Sequence, residues 1–472
     1  MPDATPSSGI VHRRTIPPYS SARPAGPPPG PPMEGTSLLT AFGRAFRTPD
    51  LRKKLLFTFA IIALYRLGTH IPTPGVSYPA VQQCMKDAPK SGFLGLANLF
   101  SGGALLQLSI FALGIMPYIT AAIIVQLLTV VIPRFETLKK EGSSGQAKMT
   151  QYTRYLTIGL AILQSSTLIT FAQNPGALFG PGCTNILVSD SIPTILIMVL
   201  TMTAGTGLIM WLGELMTDKG VGNGMSLLIF TSIAAGFPGA LWQIKNQQNW
   251  FTFFVVIAIG FLIIALVVYV EQSTRRIPVQ YAKRMVGRQM YGGTSTYIPI
   301  KVNMANVIPI IFASSLLTLP MMIAQFNTDP TNPAGWVTWI NNHLSQGDSN
   351  IYMIIYTVLI VFFTFFYVSI TFNPEEVADN MKRYGGFIPG IRAGRPTAEY
   401  LQYVLTRITV PGAIYLAAIS LIPLIAFRLI NANQNYFPFG GTSIIIIVGV
   451  GLETVKQIEA QLQQRHYEGF LR

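Results

Sequence analysis

Along the chain, apolar residues gather into ten runs, at 55–71, 107–132, 153–173, 193–216, 224–241, 251–271, 304–325, 351–372, 406–428 and 439–455. Each is close to the roughly 20 residues that cross about 30 Å of hydrocarbon as a helix. The pattern predicts an all-α polytopic membrane protein. Three stretches depart from it. Residues 1–36 contain RPAGPPPGPP, which neither packs a core nor sustains a helix, so a disordered tail is expected there. In the following 37–54, Leu38, Leu39, Phe42 and Phe46 recur at helical spacing with Arg44 and Arg47 between them. That spacing predicts an amphipathic surface segment, lying on the membrane or packed on the protein. The third stretch, FLGLANLFSGGALLQ from Phe93 to Gln107, is apolar but too short and too glycine-interrupted to span. Such backbone is tolerated at membrane depth where protein buries it or where it lines a water-filled cavity, so it implies a cavity.

The second run holds a proline inside GIMPYI, Gly114 to Ile119, which reads as a break in a spanning helix. The break has a counterpart. GIMPYITAAIIVQLL can be laid over NVIPIIFASSLLTL in the seventh run, Pro117 on Pro309, and GNGMSLLIF opening the fifth resembles GGTSIIIIV opening the tenth. Both matches are five spans apart, and an odd offset inverts orientation. This is the pattern of an inverted repeat, with halves at 55–241 and 242–455, and interrupted spans in corresponding positions point to a pathway between the halves.

Composition agrees and charge orients the chain. Half of the 472 residues are hydrophobic and 11% are charged, and the mean hydropathy is +0.44. The net charge of +14 falls in alternate connections: the N-terminal segment with Arg52, Lys53 and Lys54, the loop 133–152, the loop 272–303, and the loop 373–405 with Lys382 and Arg383. By the positive-inside rule these loops and both termini, including the tail 456–472, are cytoplasmic. Cys84 and Cys183 then lie outside. Two unpaired small apolar residues is the plainer expectation, and a disulfide the alternative.

Chemistry is sparse. Two cysteines and four scattered histidines offer no metal spacing, and no hydrolase motif such as H-E-x-x-H or G-x-S-x-G is present. GVGNG at Gly220 to Gly224 follows a membrane helix and lacks the spacing of a phosphate loop. The second and the fifth to eighth runs hold no ionisable residue in their interiors. Arg66 and His70 in the first run and Glu214 near the end of the fourth are exceptions, and Arg154, Arg407 and Arg428 read as interfacial anchors. No cofactor is implied. The scarcity of intramembrane charge disfavours a solute or ion secondary transporter. An uncharged pathway beside large basic loops suits a varied cargo driven by a partner, and an insertase without a pore stays open as a further reading.

The motifs FSGGAL…IFALGIMPYI, KKEG…QYTRY, WLGE…GVGNGMSLLIF, RRIPVQYAKR, YIPIKVNMANVIPIIFASS, GFIPGIRAG and FGGTSIIIIV, in this order, resemble the SecY family from about Leu38 onward. That family forms the central subunit of the bacterial Sec protein-conducting channel. The resemblance implies ten transmembrane helices in two inverted halves of five around a central pore, in the bacterial plasma membrane, with SecE bracing the outside and SecG peripheral.

It also implies roles for residues. A plug over about 93–107 would comprise Phe93, Leu94, Leu96, Asn98, Phe100, Ser101, Gly102 and Gly103. An apolar pore ring would consist of Ile115, Ile119, Met225, Ile229, Ile311 and Ile446, with Met225 in place of the usual branched residue. A lateral gate between the second and seventh spans would include Pro117, Thr120, Asn303, Pro309 and Ser315, and would release signal sequences and the apolar helices of nascent chains into the lipid bilayer. Basic loop residues Arg275, Arg276, Lys283, Arg284, Arg288, Arg392 and Arg395 would engage the SecA motor ATPase or the ribosome. Gln289, Ala393 and Asn306 depart from the family's usual arginine, proline and glycine.

Overall fold

A computed structural model of the chain describes residues 46, 48–87, 98, 101–173, 183, 186–247, 250–281, 284–286, 289–291, 295–326, 334–344, 349–430 and 441–470. The helices in chain order are α1 (Pro49–Gly68), α2 (Tyr78–Asp87), α3 (Met116–Val131), α4 (Pro133–Lys140), α5 (Ser143–Gln173), α6 (Ile192–Lys219), α7 (Gly224–Gln247), α8 (Trp250–Gln272), α9 (Ile308–Phe326), α10 (Gly335–His343), α11 (Asn350–Thr371), α12 (Pro374–Arg383), α13 (Arg395–Ile430) and α14 (Gly441–Phe470). Each of the ten apolar runs falls on a helix: α1, α3, α5, α6, α7, α8, α9, α11, α13 and α14. Among the described residues five helices are long and apolar enough to cross a membrane, and α3 with α4 forms a bent pair turned through 101° at Pro133.

Several boundaries differ from the sequence reading. Residues 49–54 continue α1 instead of forming a separate surface segment; the rest of 37–54, apart from 46 and 48, and the tail 1–36 lie outside the described residues. At the other end α14 runs on through Phe470. The second span starts at Met116, not 107. Residues 101–115 form a chain of turns in which Leu108 and Gly114 take φ of 47° and 56°. Such left-handed residues stop a right-handed helix from propagating backwards. Pro117 therefore sits in the first turn of α3, where its missing N–H would have had no partner. The reading of GIMPYI as a broken helix is corrected: the proline opens one. Pro309 stands second in α9, and Asn306, three residues before it as Gly114 is before Pro117, has φ 50°. The repeat is thus visible in the backbone.

The loop 272–303 folds into strands: β1 (Thr274–Tyr281), β2 (Arg284–Val286), β3 (Gln289–Tyr291) and β4 (Ser295–Lys301), with β5 (Gly386–Phe387) from the loop 373–405. The sheet order is β4-β1-β5, antiparallel, with Ile277 opposite Ile298 and Gln280 opposite Phe387. Ile277 and Val279 alternate with exposed neighbours along β1, the period of a half-buried strand. They pack with Ile300, Met381, Ile388 and Leu401, so the two basic loops form one body.

Cys84 and Cys183 are joined by a disulfide, with Cα atoms 5.5 Å apart. This corrects the expectation of two unpaired cysteines. Their connections lie side by side, Val76 bridging Leu187, and both sulfurs sit in one apolar cluster, contacts that sequence spacing does not encode.

Candidate pore constriction and gate

The six proposed ring residues come from four helices and the turn before one of them. Ile115 caps the start of α3 and Ile119 lies one turn on; Met225 and Ile229 are on α7, Ile311 on α9 and Ile446 on α14. The structure brings all six into one apolar cluster: five are buried in it, and Ile119 is packed against it. Met225 has a particular support. Its Sδ lies against Gly213 of α6, where any Cβ would collide with it, so the unbranched side chain fills a groove that glycine leaves open. The start of α7 is fixed locally: Asn223 Oδ1 accepts from Met225 N at 3.1 Å, and Thr217 Oγ1 from Gly224 N at 2.9 Å. Within GVGNG, Gly220 N also donates to Met216 C=O at 2.8 Å and Val221 N to Thr58 Oγ1 at 3.3 Å.

Beside this cluster lie the described residues of the candidate plug, Gly102 backing onto Ser232 of α7. Phe93, Leu94, Leu96 and Phe100 are outside the described residues. Asn98, Ser101, Gly102 and Gly103 form a tight turn: Gly103 N donates to Asn98 C=O at 2.8 Å, Ser101 Oγ to the same carbonyl at 3.0 Å, and Leu106 N to Asn98 Oδ1 at 3.1 Å. Arg66, unassigned from sequence, reaches this turn, its Nη1 donating to Gly102 C=O at 3.1 Å. Next to it Tyr65 OH and Ser232 Oγ are 2.6 Å apart. Because Ser232 already donates to Leu228 C=O, Tyr65 is the donor. A charge in the last turn of α1 thus holds a carbonyl of the segment beside the ring.

Among the described residues, helices α3 and α9 meet only sparsely, and each packs more densely on a neighbour in its own half, α3 on α5 and α9 on α11. Thr120 donates to Met116 C=O of its own helix at 3.0 Å. Asn303 lies before α9 and donates to Glu271 Oε1 at 2.6 Å and to Asn306 C=O at 3.2 Å. Ser315 is buried on α9. Glu271 is the residue that sequence reasoning missed. It ends the sixth run and is 6% exposed, and its bond to Asn303 ties α8 to the turn from which α9 starts. A carboxylate closing an apolar run ahead of a basic loop was the available signal.

At the basic end Arg275, Arg276 and Arg392 are exposed, with the Arg276 guanidinium 5.0 Å from the Tyr297 ring. Arg395 Nε lies 3.1 Å from Glu399 Oε1 in the first turn of α13. Arg284 is on β2, while Lys283 and Arg288 lie outside the described residues. On α4 the Glu136 carboxyl is held below its ordinary pKa by its hydrogen bond to, and the charge of, Lys140. Arg154, expected to be an interfacial anchor, makes a two-pronged bridge to Glu214, with Nε–Oε1 2.9 Å and Nη2–Oε2 2.7 Å. The planar guanidinium fits a carboxylate in this way and ties α5 to α6.

A family model described as SecY matches residues 109–455. The protein translocase subunit SecY of Streptomyces scabiei is 66% identical over 442 residues, covering 92% of this chain and 100% of that protein. The protein of the same description from Streptomyces coelicolor is 65% identical over 443 residues with the same coverage, and that from Mycobacterium tuberculosis is 56% identical over 444. Among solved structures, one described as a protein conducting channel has a TM-score of 0.58 at 18% identity, over 86% of this chain and 91% of its own. Sec61 in a canine ribosome-channel complex has a TM-score of 0.56 at 17% identity, with the same coverage. At these identities the structural likeness speaks for the fold.

Proposed function

The chain belongs to the SecY family, and from that membership we propose how its parts conduct protein. It is a protein-conducting translocation channel of a multi-pass membrane protein. The pathway runs between the two halves, and its constriction is the ring of Ile115, Ile119, Met225, Ile229, Ile311 and Ile446. The convergence of these six side chains in one apolar cluster is the observation that carries the reading. Apolar side chains offer no hydrogen bonds to water or ions, so a narrow ring dewets and blocks conduction, while it makes no specific bond that would hold a passing peptide. The turn at Asn98 to Gly103, anchored by Arg66, acts as the plug of the idle channel.

The sparse seam between α3 and α9 is the lateral gate. Thr120, Asn303 and Ser315 are its polar residues; Thr120 and Asn303 hydrogen-bond within their own halves, so opening the seam leaves those bonds intact and exchanges helix packing for contacts with a signal sequence. Pro117 and Pro309 fix where the two gate helices begin. SecE braces the outside, SecG is peripheral, and SecA or the ribosome docks on the sheet through Arg275, Arg276, Lys283, Arg284, Arg288, Arg392 and Arg395. The basic loops and both termini face the cytoplasm across the bacterial plasma membrane.

Proteoliposomes holding this chain with SecE are expected to import a signal-bearing precursor in the presence of SecA and ATP, read as protection of the precursor from protease. SecA binding without any protection would refute the channel reading.

A further inference from the structure

Away from the strands, three segments distant in sequence form one cap. The connection after α1, the turns at 101–115 and the connection before α6 are sewn together by backbone hydrogen bonds. Thr73 N donates to Leu108 C=O at 3.0 Å, Ile110 N to Ile71 C=O at 2.9 Å, Ser77 N to Ile186 C=O at 2.8 Å and Val188 N to Gly75 C=O at 3.0 Å. Across the same cap Cys84 of α2 and Cys183 close a covalent link between residues 99 apart in sequence. Both are buried in a cluster with Leu106 and Leu108, and Leu106 N is the group that holds Asn98 Oδ1. The plug turn therefore hangs from residues that the disulfide encloses.

We propose that this disulfide is installed from outside by a thiol oxidant and clamps the seat of the plug, so that the seal of the idle channel yields to reductant on the outer face. The proposal rests on the plug and orientation given above. Outside the cytoplasm disulfides persist, and the alternate connections carrying both cysteines belong there. In the forming step one cysteine thiolate attacks the disulfide of an oxidised dithiol carrier, expelling one carrier sulfur and giving a mixed disulfide. The second cysteine thiolate then attacks the first cysteine's sulfur and releases the carrier as its dithiol. The pair loses two protons and two electrons, and the carrier gains them. Because the finished bond is buried, this exchange precedes final packing of the cap. Once made, it prevents the two connections from separating even when the four backbone bonds open together.

The test uses the full chain with its partner subunits in liposomes, outer face accessible. A charged phosphine reductant is added outside and raised until a mass-tagging maleimide, applied after denaturation, adds two tags. Untreated protein is expected to take no tag, and ion leak is expected to rise severalfold on reduction. A Cys84→Ser, Cys183→Ser variant should leak at the raised level and ignore reductant. If that variant fails to assemble, reduction of the assembled native chain carries the test alone. Two tags without reduction overturn the bond, and two tags with unchanged leak overturn the clamp. Deleting residues 94–103 separates this proposal from its premise: a leaking deletion beside a tight reduced channel leaves the plug standing and refutes the clamp, whereas no leak in either refutes both.

Discussion

Asn306 and Gly114 precede the two matched prolines by the same interval and share a left-handed backbone, with φ of 50° and 56°. A side chain in that region costs about 1–2 kcal/mol, and asparagine bears it better than most. This accounts for asparagine where the resemblance implies glycine: the position constrains conformation, and it is the Asn306 carbonyl that accepts from Asn303. Asn306→Gly is accordingly expected to change stability by about 0.5 kcal/mol or less, and Asn306→Val to lose about 1–2 kcal/mol. Thermal unfolding of the purified complex would read both. At the ring, Ile119→Ser puts a hydroxyl where only apolar groups meet, so ion leak through idle channels should rise severalfold in liposome flux assays. Pro117→Ala should leave that leak unchanged, because a first-turn proline lacks only an N–H that has no partner within the helix.

Whole elements were read unevenly from sequence, for physical reasons. The apolar runs stand out because each is long enough to span by itself, so every run has its helix. The strands did not: TRRIPVQY carries two arginines and a proline, and its two-residue alternation spans only Ile277 and Val279. The start of α3 was misplaced because left-handed turns at Leu108 and Gly114 leave no mark in hydropathy. The disulfide and the Arg154–Glu214 bridge are tertiary pairings, invisible to local spacing. Packing of the sheet yields a prediction of its own. Ile277 is buried against the second loop, so Ile277→Asp would bury a charge at a cost of about 3 kcal/mol or more and separate the two loops. Binding of SecA and of ribosomes should fall together, each measured by co-sedimentation, while ion leak stays at the native level because the ring lies in a different cluster. A raised leak would mean that sheet and ring are not independent bodies.

For the whole molecule, the asymmetry of charge matters more than the net +14. Basic residues crowd the two loops that share the sheet, and they do not all have the same freedom to meet a partner. Arg395 is bridged to Glu399 and Arg154 to Glu214, whereas Arg275 and Arg392 are exposed on two loops that the sheet holds together. A polyanion spanning both loops would displace counterions from each phosphate it lends to an arginine. With four such contacts, a slope of about −0.7 to −0.9 per contact predicts that raising salt from about 50 mM to about 200 mM weakens ribosome association by roughly 50- to 150-fold. Reversing charge at two of them, Arg275→Glu with Arg392→Glu, should lower the slope by about 1.4 to 1.8 and leave the remainder. Binding isotherms of fluorescent ribosomes to channel-bearing liposomes at several salt concentrations measure the slope directly. A slope near zero in the native chain would mean that these arginines meet no phosphate, and that the sheet engages its partner through shape and apolar contact instead.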